Sequence, residues 1–199
     1  MIKDAKKSVS RDSLPILHNK RSRFMINDHH PGTCNLGELR ILDWRLCVPG
    51  DQFKIKERKI LRTQPLVSSP MDALKFDTFW FKMDLRDLWD NFTKFCGESS
   101  TKWRPDSSIE YLLPQIDSGR TGFEVGSVAD DLGLPVNVSN IEVMSLPFRM
   151  YAEIVNHFFR STVVEDELYI PKGDEEQAYF VSNSLFYTNS VVVSFEGFW

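Results

Sequence analysis

Apolar and polar positions alternate across residues 39–48, with Leu42, Trp44, Leu46 and Val48 set against Asp43, Arg45 and Cys47. A period of two predicts a strand with one buried face. Val48-Pro49-Gly50-Asp51 follows as a turn. Pro49 suits its first central position and Gly50 its second, where φ is positive in a type II turn. A second strand is predicted over 52–62, where Phe53 and Ile55 alternate with Lys54 and Lys56 before the phase shifts towards Ile60, as at a bulge. The basic face of that strand reads as solvated.

The chain is organised around residues 76–98. Residues 76–83 predict a strand with Phe79, Phe81 and Met83 on one face and Phe76, Thr78 and Trp80 on the other. Both faces are largely apolar, so cover is expected on both sides. A helix should follow directly. Asp84 is its expected N-cap, Asp87 adds negative charge to the first turn, and Gly97 is placed to end it. Leu85, Leu88, Trp89, Phe92, Phe95 and Cys96 form its apolar stripe. A second amphipathic helix is predicted after Ser145 as cap, with Pro147 tolerated in the first turn. Its stripe is Phe148, Tyr151, Ala152, Val155, Phe158 and Phe159. Both stripes read as core packing. Between the helices, residues 97–145 are punctuated by Pro and Gly and read as a long surface insertion with little regular structure. Residues 179–181 and 184–193 are strand-like, and no internal repeat is visible.

Composition adds a globular core and an uneven charge. Hydrophobic residues make up 42% of the 199, enough for one domain with a sizeable core. Residues 1–24 carry seven basic side chains, Lys3, Lys6, Lys7, Arg11, Lys20, Arg21 and Arg23, against Asp4 and Asp12, a net of +5. The whole chain is at −4, so the remaining residues, 25–199, stand at −9. These seven residues are the candidate nucleic-acid contacts of a basic N-terminal arm, 1–24. The three cysteines are odd in number and lack metal-ligand spacing, which suits free thiols. No apolar run approaches the ~20 residues that a bilayer crossing needs, so no membrane partner is expected.

Chemistry-bearing motifs are absent. There is no phosphate-binding loop, no dinucleotide-binding glycine pattern, no GxSxG and no HExxH. His18, His29, His30 and His157 show no ligand pattern, so neither a metal nor another cofactor is expected. No catalytic residue is assigned and no enzyme is expected. The residues alone give a mainly β domain with helical insertions and a basic arm.

A set of short motifs in register resembles the N-terminal half of the microvirus major capsid protein, especially its gokushovirus branch. It comprises Arg23-Phe24, Gly37-Glu38-Leu39, Val48-Pro49-Gly50-Asp51, Phe53, Pro70-Met71-Asp72 and Asp77-Thr78-Phe79-Trp80-Phe81. It continues through Arg86, Leu88-Trp89-Asp90, Phe92, residues 95–98, Leu132-Gly133-Leu134-Pro135, Pro147-Phe148-Arg149-Met150-Tyr151, Ile154, Asn156 and Phe158-Phe159-Arg160. Met83-Asp84 departs from the family's usual Val-Pro, and residues 1–22 and 161–199 match poorly. The family protein is more than twice as long.

The resemblance implies a partial viral jelly-roll β-sandwich, antiparallel, with its C-terminal strands missing from this chain. Residues 25–199 would be the N-terminal portion of that single capsid domain. It implies a structural subunit of a small icosahedral single-stranded DNA phage capsid. Its partners would be copies of itself, other capsid or DNA-packaging proteins and the single-stranded DNA genome. It would reside in the virion, and in the bacterial host cytoplasm during assembly. The assembly and core motif would be Phe79, Trp80, Phe81, Leu88, Trp89, Phe92, Phe95, Phe148, Tyr151, Phe158 and Phe159. An alternative is a nucleic-acid-binding β-sandwich module that uses the basic arm, by stacking and phosphate contact. A cupin-like metal enzyme is the third reading, and the four histidines give it no ligand set.

Overall fold

The computed structural model describes residues 22–35, 37–65, 67–68, 74–97, 112–174, 177–178 and 190–196, the last two spans as strand backbone. Of the basic arm, Lys3, Lys6, Lys7, Arg11, Lys20 and Arg21 lie outside the described residues. So do 179–189, which include most of the strand-like stretches expected near the end.

Six strands and four α-helices are described: β1 (Ile41–Cys47), β2 (Thr78–Asp84), α1 (Leu85–Leu88), α2 (Phe92–Phe95), β3 (Gln115–Asp117), α3 (Val128–Asp131), β4 (Glu142–Met144), α4 (Leu146–Ile154), β5 (Gln177–Ala178) and β6 (Ser190–Glu196). A π-helical turn, Val155–Phe159, continues α4. The strands form two three-stranded sheets, in the orders β1–β6–β2 and β4–β3–β5. The antiparallel pairing expected of a sandwich is met by β3 and β4. Strands β1 and β2 both pair with β6 in parallel, and β3 pairs with β5 in parallel. These parallel partners lie far apart in sequence and are reached by crossovers, whereas hairpins would give antiparallel neighbours.

Helix α4 is the centre of the core. Its Leu146, Phe148, Met150, Tyr151 and Ile154 are buried, together with Leu39, Ile41, Leu88, Trp89, Ile116, Phe123 and Ala129. Trp44, Phe81 and Met83 of the first sheet pack against that cluster. Burial runs almost all round α4, where the sequence predicts a one-sided stripe, because Arg149 on its other side is also buried. Arg149 is tolerated there because its guanidinium donates to the carbonyls of Leu88 at 3.2 Å and Gly173 at 3.0 Å. Ser145 stands at the N-cap, but its hydroxyl donates to the Pro114 carbonyl at 3.0 Å and does not cap the helix. It therefore ties the start of α4 to the lead into β3.

Three expectations are corrected. The predicted helix after Asp84 is two short helices, because Trp89 adopts an extended backbone between them. The break is held from outside: the Asp90 N–H donates to the Lys172 carbonyl at 3.1 Å, and the Trp89 indole donates to Asp174. Asp84 occupies the N-cap without a side-chain capping bond, whereas Gly97 closes α2 with φ +93° as expected. Residues 52–65 are exposed, carry no regular secondary structure and pair with no strand among the described residues, so the strand predicted over 52–62 is not formed. Of the segment 97–145, expected as a surface insertion with little regular structure, the described residues 112–145 supply β3, α3 and β4, and place Ile116, Phe123 and Ala129 in the core. The predicted turn at Val48–Asp51 stands, with Gly50 at φ +94° and the Asp51 N–H donating to the Val48 carbonyl at 3.0 Å.

Candidate functional site

Among the described residues no group of His, Cys, Asp and Glu is placed to hold a metal ion. No helix among them is long and apolar enough to cross a membrane. The chemistry on display is aromatic surface and buried charge.

The aromatic residues singled out in the sequence divide into two sets. Leu88, Trp89, Phe148 and Tyr151 are buried around α4. Trp89 gathers Phe95 at 5.3 Å and Phe92 at 6.3 Å between ring centroids. Phe79, Trp80, Phe95 and Phe158 are exposed, and Phe81 and Phe159 lie between the two sets. The π-helical turn explains the second cluster. Its bond from the Arg160 N–H to the Val155 carbonyl, 2.8 Å, spans five residues and shifts the helical phase. Phe158 and Phe159 therefore both reach the β2 face. Phe81 meets Phe158 at 4.9 Å and Phe159 at 6.1 Å, and Phe79 meets Phe159 edge-on at 5.8 Å. Phe158 nevertheless stays 60% exposed. Strand β2 is thus backed on its Phe81 face, while Trp80 on the opposite face is 44% exposed, so the cover expected on both sides is found on one.

Beside this seam lies an open groove of about 410 Å³ lined by Lys82, Met83, Asp84, Asp87, Glu153, His157 and Phe158. Glu153 is paired with Lys172 at 3.4 Å. Its lining mixes the apolar side chains of Met83 and Phe158 with Lys82, His157 and three carboxylates.

A second cluster was not legible in the sequence. Asp131 of α3 is buried and pairs with Arg40 at 2.6 Å, and it accepts the Ile41 backbone N–H at 3.3 Å. Arg40 also donates to the Gly126 carbonyl at 2.6 Å. His30 lies 3.7 Å from Asp131, and Asp28 pairs with Arg45, so residues 22–35 are tied to the body at these two points. Burial pushes the Asp131 carboxyl up to about 7, against the pull of Arg40. Burial also lowers His30, with the Arg40 charge acting in the same direction. Burial raises the Tyr151 hydroxyl, which donates to the Leu39 carbonyl at 3.3 Å. The signal that marks this region is Ser127-x-x-Asp130: Ser127 caps α3 by accepting from the Asp130 N–H, and Asp130 accepts from the Gly126 N–H at 2.8 Å. Of the seven basic arm residues, Arg23 is described, exposed and outside regular secondary structure.

A family described as capsid protein (F protein) matches residues 13–192. The chain is 32% identical over 161 residues to capsid protein VP1 of Bdellovibrio phage phiMH2K, covering 81% of this chain and 30% of that protein. It is 32% identical over 150 residues to capsid protein VP1 of Spiroplasma virus 4, covering 75% and 27%. It is 33% identical over 132 residues to capsid protein VP1 of Chlamydia phage 1, covering 65% and 22%. The chain thus spans less than a third of the length of each of these relatives.

Proposed function

We propose, from the premise that this chain belongs to the capsid protein (F protein) family of small phages, that it acts as a structural subunit of an icosahedral single-stranded DNA phage shell. The observation that carries the reading is the family match over residues 13–192, joined to a surface that displays large aromatic side chains. Its partners are copies of itself, and its place is the virion. The energy of assembly would come from burying side chains such as Phe79, Trp80 and Phe158 at large interfaces. The wider fold in this reading is a viral jelly roll, to which the two small sheets contribute part.

The basic arm, Lys3 to Arg23, faces the genome in this reading and neutralises phosphate. Phage particles carrying the chain with residues 1–21 deleted should retain less DNA while shells still form, as seen by negative-stain microscopy and nucleic-acid absorbance. Absence of this chain from purified particles would sink the structural reading. Unchanged DNA content would sink only the role of the arm.

A further inference from the structure

Residues 22–35 run between the basic arm and β1, and side chains fasten them to the body. Every residue of the segment is exposed and outside regular secondary structure. Among the described residues, no backbone–backbone hydrogen bond joins residues 22–34 to the rest of the chain. Two charged contacts hold the segment. Asp28 pairs with Arg45, whose Nε also lies 3.2 Å from Asp43, and both partners of that pair are partly open to solvent. Farther along, His30 Nε2 lies 3.7 Å from Asp131 Oδ1, and the imidazole is the more enclosed of the two fastenings on the segment, with its side chain 29% exposed.

The place His30 occupies is unsuited to a second cation. The Asp131 carboxylate already faces Arg40 at 2.6 Å and accepts the Ile41 N–H at 3.3 Å. The charged groups around the imidazole are Arg40 from the lead into β1, Asp130 and Asp131 from α3, and His29 from its own segment. Behind Asp131, Tyr151 of α4 feels the charges of Asp131, Arg40 and Glu38. Burial, and next the Arg40 charge, hold His30 below its ordinary 6.5, against the pull of Asp130. An imidazole that resists its proton while docked is, by linkage, one whose proton opposes docking. Docking is therefore fully supported above pH 6.5 and is lost as the pH falls below it. Asp131 has the opposite sign, since burial raises its carboxyl to about 7. Its own surroundings, α3, Arg40 and the Ile41 N–H, stay in place when the segment leaves, so its titration bears on the stability of the body more than on docking.

We propose that His30 is an acid-operated latch: protonation of its imidazole, beside Arg40, releases residues 22–35 from the face made by α3 and the lead into β1. The Asp28–Arg45 contact does not hold the segment alone, because an exposed ion pair is weak and is screened by salt. Freed and extended, residues 22–35 span up to about 50 Å. Acid thus lengthens the tether that carries the basic residues Lys3 to Arg21. The latch belongs to the single chain and does not depend on what the chain assembles into.

The test places a nitroxide at Met25→Cys, a position 85% exposed, in the full 199-residue chain. Cys34→Ser and Cys96→Ser remove the two exposed thiols, and Cys47 stays buried. Electron paramagnetic resonance is recorded between pH 8 and pH 5, with near-UV circular dichroism to follow the body. The mobile fraction should rise at least about twofold towards pH 5 while the dichroism holds. His30→Gln should abolish the rise, and His29→Gln should keep it. A labelled chain whose mobility ignores pH overturns the latch. So does a rise that persists in His30→Gln or vanishes in His29→Gln, and so does a rise that tracks loss of near-UV dichroism, which reports unfolding of the body.

Discussion

The indole N–H of Trp89 donates to the carboxylate of Asp174, 85 residues further along the chain. Asn91 donates to the other oxygen of the same carboxylate at 2.8 Å, and buried Arg149 donates to the neighbouring Gly173 carbonyl at 3.0 Å. Residues 172–174 therefore act as a strap across the break between α1 and α2. This strap explains why an apolar stripe at helical spacing does not make one helix here. Bonds from Trp89, Asp90 and Asn91 to the strap hold the chain out of a continuous helix at this point. Asp174→Ala should lower the unfolding free energy by about 1–2 kcal/mol, since it leaves a buried indole donor unpaired. Urea denaturation gives the value, and an unchanged midpoint would remove the strap from the account.

Arg149 is the costlier position. Its side chain is 1% exposed and joins α4 to two carbonyls on different segments. Arg149→Ala should destabilise by about 3–5 kcal/mol, through a cavity and two stranded acceptors. Arg149→Lys should recover less than half of that, because one ammonium lacks the planar fork that spans both carbonyls. Full recovery by Lys in thermal or urea unfolding would contradict the two-carbonyl role.

Asp131 predicts a pH dependence with a definite sign. Its folded carboxyl is raised from 3.8 to about 7, so the folded chain keeps a proton that the unfolded chain releases. Its contribution to stability is fully present below pH 3.8 and is lost as pH rises through about 7, with a slope no steeper than about 1.4 kcal/mol per pH unit. Asp43, also raised by burial, acts in the same direction. His30 and Glu38, both lowered, act in the opposite one. The check is therefore the difference between wild type and Asp131→Asn in unfolding free energy measured between pH 4 and pH 8. The asparagine form should lose the decline assigned to Asp131, and parallel curves would show that Asp131 does not titrate in this range.

Gly122 and Gly119 separate two costs of a side chain at positive φ. A Cβ at Gly122 would meet the Val138 backbone N at 2.5 Å, whereas one at Gly119 would meet nothing within 4 Å. Both have positive φ, +78° and +68°. Gly119→Ala should cost about 1–2 kcal/mol from backbone conformation alone. Gly122→Ala should cost clearly more and should loosen the bridge between Phe123 and Val136. Equal melting shifts for the two would show that residues 137–138 move aside freely.

Much of this architecture was legible where the signal is local. The Val48–Asp51 turn, the Gly97 stop and the position of the α4 start each depend on neighbours within a few residues; β1 was legible as a strand but its buried face was not, since Cys47 is buried while Leu46 and Val48 are exposed. Family membership was legible too, because many short motifs in order are jointly specific even when each is weak. What escaped depends on distant partners. Nothing near Trp89 announces Asp174, and nothing near Arg40 announces Asp131. Residues 52–62 alternate as a strand does, but a strand also needs a partner edge, and this chain offers them none among the described residues. The aromatic set was named as one group because spacing does not distinguish Trp89, enclosed by α4, from Phe158, which the π-helical turn leaves in solvent. Burial of Ile116 and Phe123 was hidden by the Pro and Gly around them, which mark turns without revealing that the turns wrap a core.

The most direct measurement for the structural-subunit account is sedimentation velocity of the purified 199-residue chain over a broad concentration series. The account predicts reversible growth of species larger than the monomer as concentration rises, with tryptophan fluorescence shifting to the blue as Trp80 is covered. A folded monomer at every concentration, with Trp80 still open to a soluble quencher, would contradict it.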